Sequence, residues 1–138
     1  MWVLYALLSA FFASLTAIFA KIGVKDVDTD LATAIRTVVI LVLAWGIVFF
    51  RGGISTIHSL TKHSLIFLVL SGIATGCSWI FYFKALQQGN VSVVAPIDKL
   101  SIALTLVLAF VFLKEPMTPK IMLGAGLILA GTFVLILK

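Results

Sequence analysis

Five separate runs of about 20 apolar residues leave this chain few ways to fold. They cover residues 2–23, 31–50, 65–84, 91–113 and 121–137. As a helix rising about 1.5 Å per residue, each is long enough to cross the hydrocarbon of a bilayer, which is roughly 30 Å thick. Lipid offers no water to a free backbone N–H or C=O, so a lipid-facing segment of this length has to be helical. The expected fold class is all-α, an integral membrane bundle of five transmembrane helices. Composition agrees: 62% of the 138 residues are hydrophobic and only 11% charged, against about a quarter charged in soluble domains. The first run has no basic residue ahead of it and lasts too long for a signal-peptide core, so it is expected to remain as a span.

The net charge of +5 would suggest nucleic acid in a soluble chain. Here the basic residues stand singly at helix ends and make no stripe interleaved with aromatics, which argues against such a partner. Cys77 is the only cysteine and lies in mid-span, so neither an internal disulfide nor a zinc site is expected. His58 and His63 lie in or beside one loop without acidic or cysteine companions and read as solvated or headgroup-facing groups rather than metal ligands. No span pairs a nucleophile with a base, so an enzyme is not expected, nor a cofactor.

The connections carry turn and capping residues, as in Lys25-Asp26-Val27-Asp28-Thr29-Asp30, Gln87-Gln88-Gly89-Asn90 and Lys114-Glu115-Pro116. The longest, between Phe50 and Leu65, holds Ile54, Ile57 and Leu60 and reads either as a short interfacial helix or as a plain loop. An odd number of spans puts the termini on opposite sides, so two fused copies would be inverted relative to each other. Arg51, Lys62, Lys114 and Lys120 fall on the side of the N-terminus, and Lys21, Lys25, Lys84 and Lys138 on the other. Four against four is the balance expected of a protein that inserts both ways up and pairs antiparallel with itself. Counting Lys21 and Lys84 as membrane-embedded would instead favour a cytoplasmic N-terminus.

Helices in lipid associate through small residues that let backbones approach. Ala6, Ala10, Ala13, Ala17 and Ala20 make one smooth face on the first span, expected to pack against a neighbour. Gly72 and Gly76 form GxxxG on the third. Gly124, Gly126, Ala130 and Gly131 make the fifth span smooth, a candidate dimer helix with packing inside the protomer as the alternative.

Ionisable residues at bilayer depth are costly, which makes each a functional candidate. Arg36 in the second span and Asp98 and Lys99 in the fourth lie about 8 to 12 Å from the starts of their helices. Tracing the chain up and down puts Lys21, Arg36, Lys84, Asp98 and Lys99 in one membrane half. This predicts a polar vestibule on the side opposite the N-terminus, with Trp79 and Tyr82 as aromatic walls, suited to an anionic or zwitterionic solute. A structural alternative pairs Asp98 with Arg36 or a lysine and lets Lys21 and Lys84 snorkel to the headgroups. Lys99 does not share the helical face of Asp98 and reads as its outward partner. Pro96 either kinks the fourth span beside Asp98, freeing carbonyls near residue 92, or marks where that helix begins.

The segments Ala85-Leu86-Gln87-Gln88-Gly89-Asn90-Val91-Ser92-Val93-Val94-Ala95-Pro96-Ile97, Phe112-Leu113-Lys114-Glu115-Pro116 and Gly124-Ala125-Gly126-Leu127-Ile128-Leu129-Ala130-Gly131 resemble the EamA family of the drug/metabolite transporter superfamily. The layout of apolar runs extends the resemblance over residues 1–138, which look like a single EamA-like transmembrane domain. Familiar members have two such repeats fused as ten inverted spans around a central cavity, with the first four spans of each repeat lining it and the fifth dimerising. The resemblance therefore implies half of a ten-helix inverted-repeat transporter that works as a dimer, most simply an antiparallel homodimer. The small multidrug resistance proteins of the same superfamily carry a membrane-embedded glutamate in the first span. This first span has no acid, and Asp98, the only acid within any run, is the expected proton or ion coupling site. The function expected is secondary transport of a small polar metabolite by alternating access, in a multi-pass protein of the cytoplasmic membrane. An accessory subunit that pairs with another membrane protein is the alternative.

Overall fold

The computed structural model describes residues 1–137, and among them there is helix but no strand. Helix α1 (Trp2–Gly23) is followed by α2 (Thr29–Phe50), a 3₁₀ helix (Gly53–Ser59) and α3 (Lys62–Gln88). Then come α4 (Val91–Asp98), α5 (Ser101–Leu108), a π-helical turn (Ala109–Leu113) and α6 (Pro119–Ile136). With Val91–Leu113 counted as one crossing, five segments among the described residues are long and apolar enough to span a membrane. The chain is an all-helical, multi-pass membrane protein. Lys138, counted in the charge balance, lies outside the described residues.

Several helices outrun the apolar stretches from which they were expected. Helix α2 starts at Thr29 because an Asp28 carboxylate oxygen accepts the N–H groups of Asp30 and Leu31, both at 3.0 Å. Those donors would otherwise be orphaned in the first turn. Thr118 caps α6 in the same way, with Pro119 at a first-turn position where its missing N–H costs nothing. Hydropathy registers where lipid begins; backbone hydrogen bonding continues into the polar caps.

The chain divides into two compact units, one of residues 18–87 and one of residues 1–17 with 88–138. In the first, the buried residues are Ala20, Val24, Thr29, Thr33, Phe83 and Leu86. They gather where α1 ends, α2 begins and α3 ends, and no residue from 34 to 82 is buried. The segment left open between interfacial helix and loop forms the 3₁₀ helix. It packs on the last turns of α2 and makes an apolar groove with Ala44, Trp45 and Val48.

In the second unit, α4 and α5 pack on α6. Helix α6 turns Ala125, Leu129 and Thr132 inward at helical spacing, and Thr132 is buried. Gly124, Gly126, Ala130 and Gly131 stay exposed, and a Cβ added at any of the three glycines would meet no atom within 4 Å. The Gly72 and Gly76 pair of α3 has the same open space. The alanine face of α1 packs only in part: Ala17 and Ala20 are buried, whereas Ala6, Ala10 and Ala13 are exposed.

The fourth span is broken rather than continuous. Pro96 lies inside α4, so the helix does not begin at the proline. Having no N–H, Pro96 gives the Ser92 carbonyl no donor. Helix α4 ends two residues later, and the N–H groups of Lys99, Leu100, Ile102 and Ala103 each bond three residues back, at 2.9 to 3.1 Å. This is 3₁₀ tightening, a common device where a helix is interrupted. The span ends in the π-helical turn, closed by Lys114 in the left-handed region at φ 55°.

Candidate functional site

The face of α2 that packs at its N-terminal end carries Thr29, Thr33 and, one turn further on, Arg36. On α3 the residues Trp79, Phe83 and Leu86 recur at i, i+4 and i+7 and share one face. These two stripes place the Arg36 guanidinium carbon 4.4 Å from the centroid of the Trp79 ring and 5.0 Å from that of Phe83. Phe83 is fully buried, so its side of the stack is fixed. The Tyr82 ring lies 6.4 Å from that of Phe83, tilted by 44°.

Magnitudes show what the stack does. Insertion of an arginine at the centre of a spanning helix costs about 2.5 to 3.5 kcal/mol, with less expected nearer the surface. A cation–π contact returns about 0.5 to 2 kcal/mol, so two rings offset most of the cost. Neither ring carries an oxygen acceptor for the five N–H donors of the guanidinium. Two ion pairs occur among the described residues, Lys84 Nζ to Asp30 Oδ1 at 3.7 Å and Lys99 Nζ to Asp98 Oδ2 at 3.4 Å. Arg36 belongs to neither.

Below the stack, the end of α1 and the end of α3 cap each other. Lys21 Nζ donates to the Leu86 carbonyl of α3. Gln87 Nε2 donates in return to the Val24 carbonyl, which follows α1, and to that of Val27, both at 2.7 Å. The last carbonyls of a helix have no intrahelical donor, and a cation there also meets the negative end of the helix dipole. Lys21 and Lys84, expected to snorkel, each meet a protein partner, a carbonyl and a carboxylate respectively.

In the other unit, Asp98 and Lys99 end α4 and pair with each other, so Lys99 is the lysine that meets Asp98. Pro96 and Lys99 line a groove against α6 with Leu127, Ile128 and Thr132. Thr132 Oγ1 donates to the Ile128 carbonyl at 2.9 Å and lies 3.4 Å from that of Pro96, which ties α6 to the break.

The residues singled out in the sequence therefore form two groups: Arg36, Trp79 and Tyr82 in one unit, and Pro96, Asp98 and Lys99 in the other. Sequence reasoning missed Phe83, Gln87 and the Leu86 carbonyl. For Phe83 the available signal was its i+4 spacing from Trp79.

The sequence pattern of the EamA-like transporter family matches residues 1–137. The chain belongs to the EamA-like transporter family. A Sinorhizobium sp. protein named as an uncharacterized transporter in the cobO 3′ region is 46% identical over 134 residues, or 97% of this chain and 95% of the relative. An uncharacterized protein of Methanocaldococcus jannaschii is 28% identical over 133 residues, 96% of this chain and 94% of its own. Both relatives are thus about as long as this chain. No solved structure matches the chain. Family and relative together identify this EamA-like chain as a membrane transporter and point away from an enzyme.

Proposed function

We propose that the chain is a secondary transporter of a small polar metabolite, located in the cytoplasmic membrane and working as an antiparallel homodimer by alternating access. The observation that carries this reading is the match of a transporter family along one odd-numbered set of spans. An odd set reverses between its ends, so a second copy inserted the other way up supplies the inverted half that transporters of this design use. The length of the relatives, the open glycine face of α6 and the even distribution of lysine and arginine between the two sides all favour pairing. Asp98, at the break of the fourth span, is the coupling residue in this reading. Its carboxylate stands where the α-helix is interrupted by 3₁₀ bonding, and irregular structure in a membrane normally lines protein or water.

The decisive experiment is reconstitution of the purified chain alone in liposomes, with counterflow of labelled amino acids, sugars and nucleotide derivatives. Flux of at least one class is expected. Flux that appears only after co-reconstitution with a second membrane protein would instead identify an accessory subunit. Orientation is read separately, with single cysteines at Ser55 and Asn90 in a Cys77→Ser background. Each site is expected to label from both sides of the membrane; labelling of each from one side only would exclude the antiparallel pair. Asp98→Asn is expected to flatten the pH dependence of flux and slow it, and a rate and pH profile unchanged from wild type would remove Asp98 from coupling.

A further inference from the structure

We infer that the free edge of the Arg36 guanidinium, presented by its stack on Trp79 and Phe83, is the recognition point for one carboxylate or phosphate group of the transported solute. This rests on the transport reading above and assigns a chemical class to the solute.

The inference starts from charge pairing. Three of the five carboxylates already have tasks, and Asp26 and Glu115 pair with no cation among the described residues. Asp30 stands by Lys84, Asp98 by Lys99, and Asp28 caps α2. Arg36 lies seven residues into α2, about 10 Å along the helix, and takes part in no ion pair among the described residues. The guanidinium carbon stands over both rings, 4.4 and 5.0 Å from their centroids, and neither ring supplies an acceptor oxygen for the planar N–H fork. That fork matches the two oxygens of a carboxylate or phosphate, and pre-orientation by stacking lowers the entropy lost when such a group binds. An arginine meant only to hold α2 on α3 would gain most from a carboxylate on α3, and the face of α3 opposite it carries tryptophan and phenylalanine.

The same chemistry occurs on a phospholipid headgroup. Depth favours the solute, since about 10 Å of helix separates Arg36 from the start of its span, and the test separates the two sources. The full chain carrying Trp2→Phe and Trp45→Phe keeps Trp79 as its sole tryptophan. It is placed in phosphatidylcholine nanodiscs and titrated with sodium phosphate, succinate or glutamate against sodium chloride of equal ionic strength. A saturable change in Trp79 emission is expected with at least one of the three anions. Arg36→Gln is expected to weaken the apparent affinity tenfold or more. Arg36→Lys, which keeps the charge and loses the fork, should weaken it several-fold, and carries the test alone if Arg36→Gln fails to give a monodisperse helical protein. No saturable change with any of the three, or titrations unchanged in the arginine variants, would overturn the inference. An Arg36-dependent signal seen only when phosphatidylglycerol replaces phosphatidylcholine would assign the site to a lipid and overturn it for the solute. Anion binding without liposome flux would leave the anchor standing and remove the transport reading; flux without an anion-dependent Trp79 signal would remove the anchor alone.

Discussion

Gln87 commits both amide protons of its side chain to carbonyls beyond the end of α1, each at 2.7 Å. Neutral hydrogen bonds of this kind contribute about 0.5 to 1.5 kcal/mol each, so Gln87→Ala is expected to lower unfolding stability by about 1 to 3 kcal/mol, measured by denaturant titration in mixed micelles. Lys84→Gln provides the contrast. Its pair with Asp30 spans 3.7 Å between side chains that are 51% and 64% exposed, and exposed pairs contribute about 0 to 1 kcal/mol. The same titration should scarcely register that change. The difference also shows what was legible at this scale. Arg36, Trp79 and Asp98 stand out from apolar surroundings by their chemistry. Phe83 does not, because a phenylalanine in an apolar helix has no compositional contrast, and only its spacing from Trp79 marks it. Gln87 reads as a turn residue because its acceptors, Val24 and Val27, are more than fifty residues away in sequence and are carbonyls, which every residue possesses.

Among the elements, the fourth span is the one whose shape departs most from its hydropathy. An apolar run from 91 to 113 predicts one rod; the structure has α4, a 3₁₀ turn, α5 and a π-helical turn. A kink beside Asp98 was one of two readings of Pro96, and the choice between them was not legible, since it also depends on how α6 meets α4 through Thr132 and Pro96. Pro96→Ala restores the missing donor to Ser92 and should let α4 run on into α5. The amides of residues 99–103 are then expected to exchange with deuterium more slowly in mass-spectrometric measurements, with slower solute flux in the same variant. Exchange identical to wild type would show that packing on α6, not the proline, sets the break. The number of spans was legible throughout, because about 20 apolar residues per crossing is a requirement of the bilayer rather than of the fold.

On the scale of the whole molecule, the small-residue faces predict assembly. Gly124 and Gly126 on α6 have room for a side chain within the single chain. Gly124→Leu with Gly126→Leu is therefore expected to leave helicity and thermal unfolding of the monomer nearly unchanged. The cross-linked dimer fraction in nanodiscs should fall several-fold, because close backbone approach is what small residues provide in lipid. An undiminished dimer would move the contact to another face. The mutual capping of α1 and α3 has a mechanical consequence. Lys21 on Leu86 and Gln87 on Val24 and Val27 join the two helix ends crosswise, so neither can swing without breaking the other's bonds. Spin labels at Ile22 and Ala85, both exposed, should keep one narrow distance under every solute condition. The two ends then act as a single stiff lever, and in the alternating-access cycle proposed above the bending falls to the parts that are not strapped: the long unburied stretch of α2 and the broken fourth span.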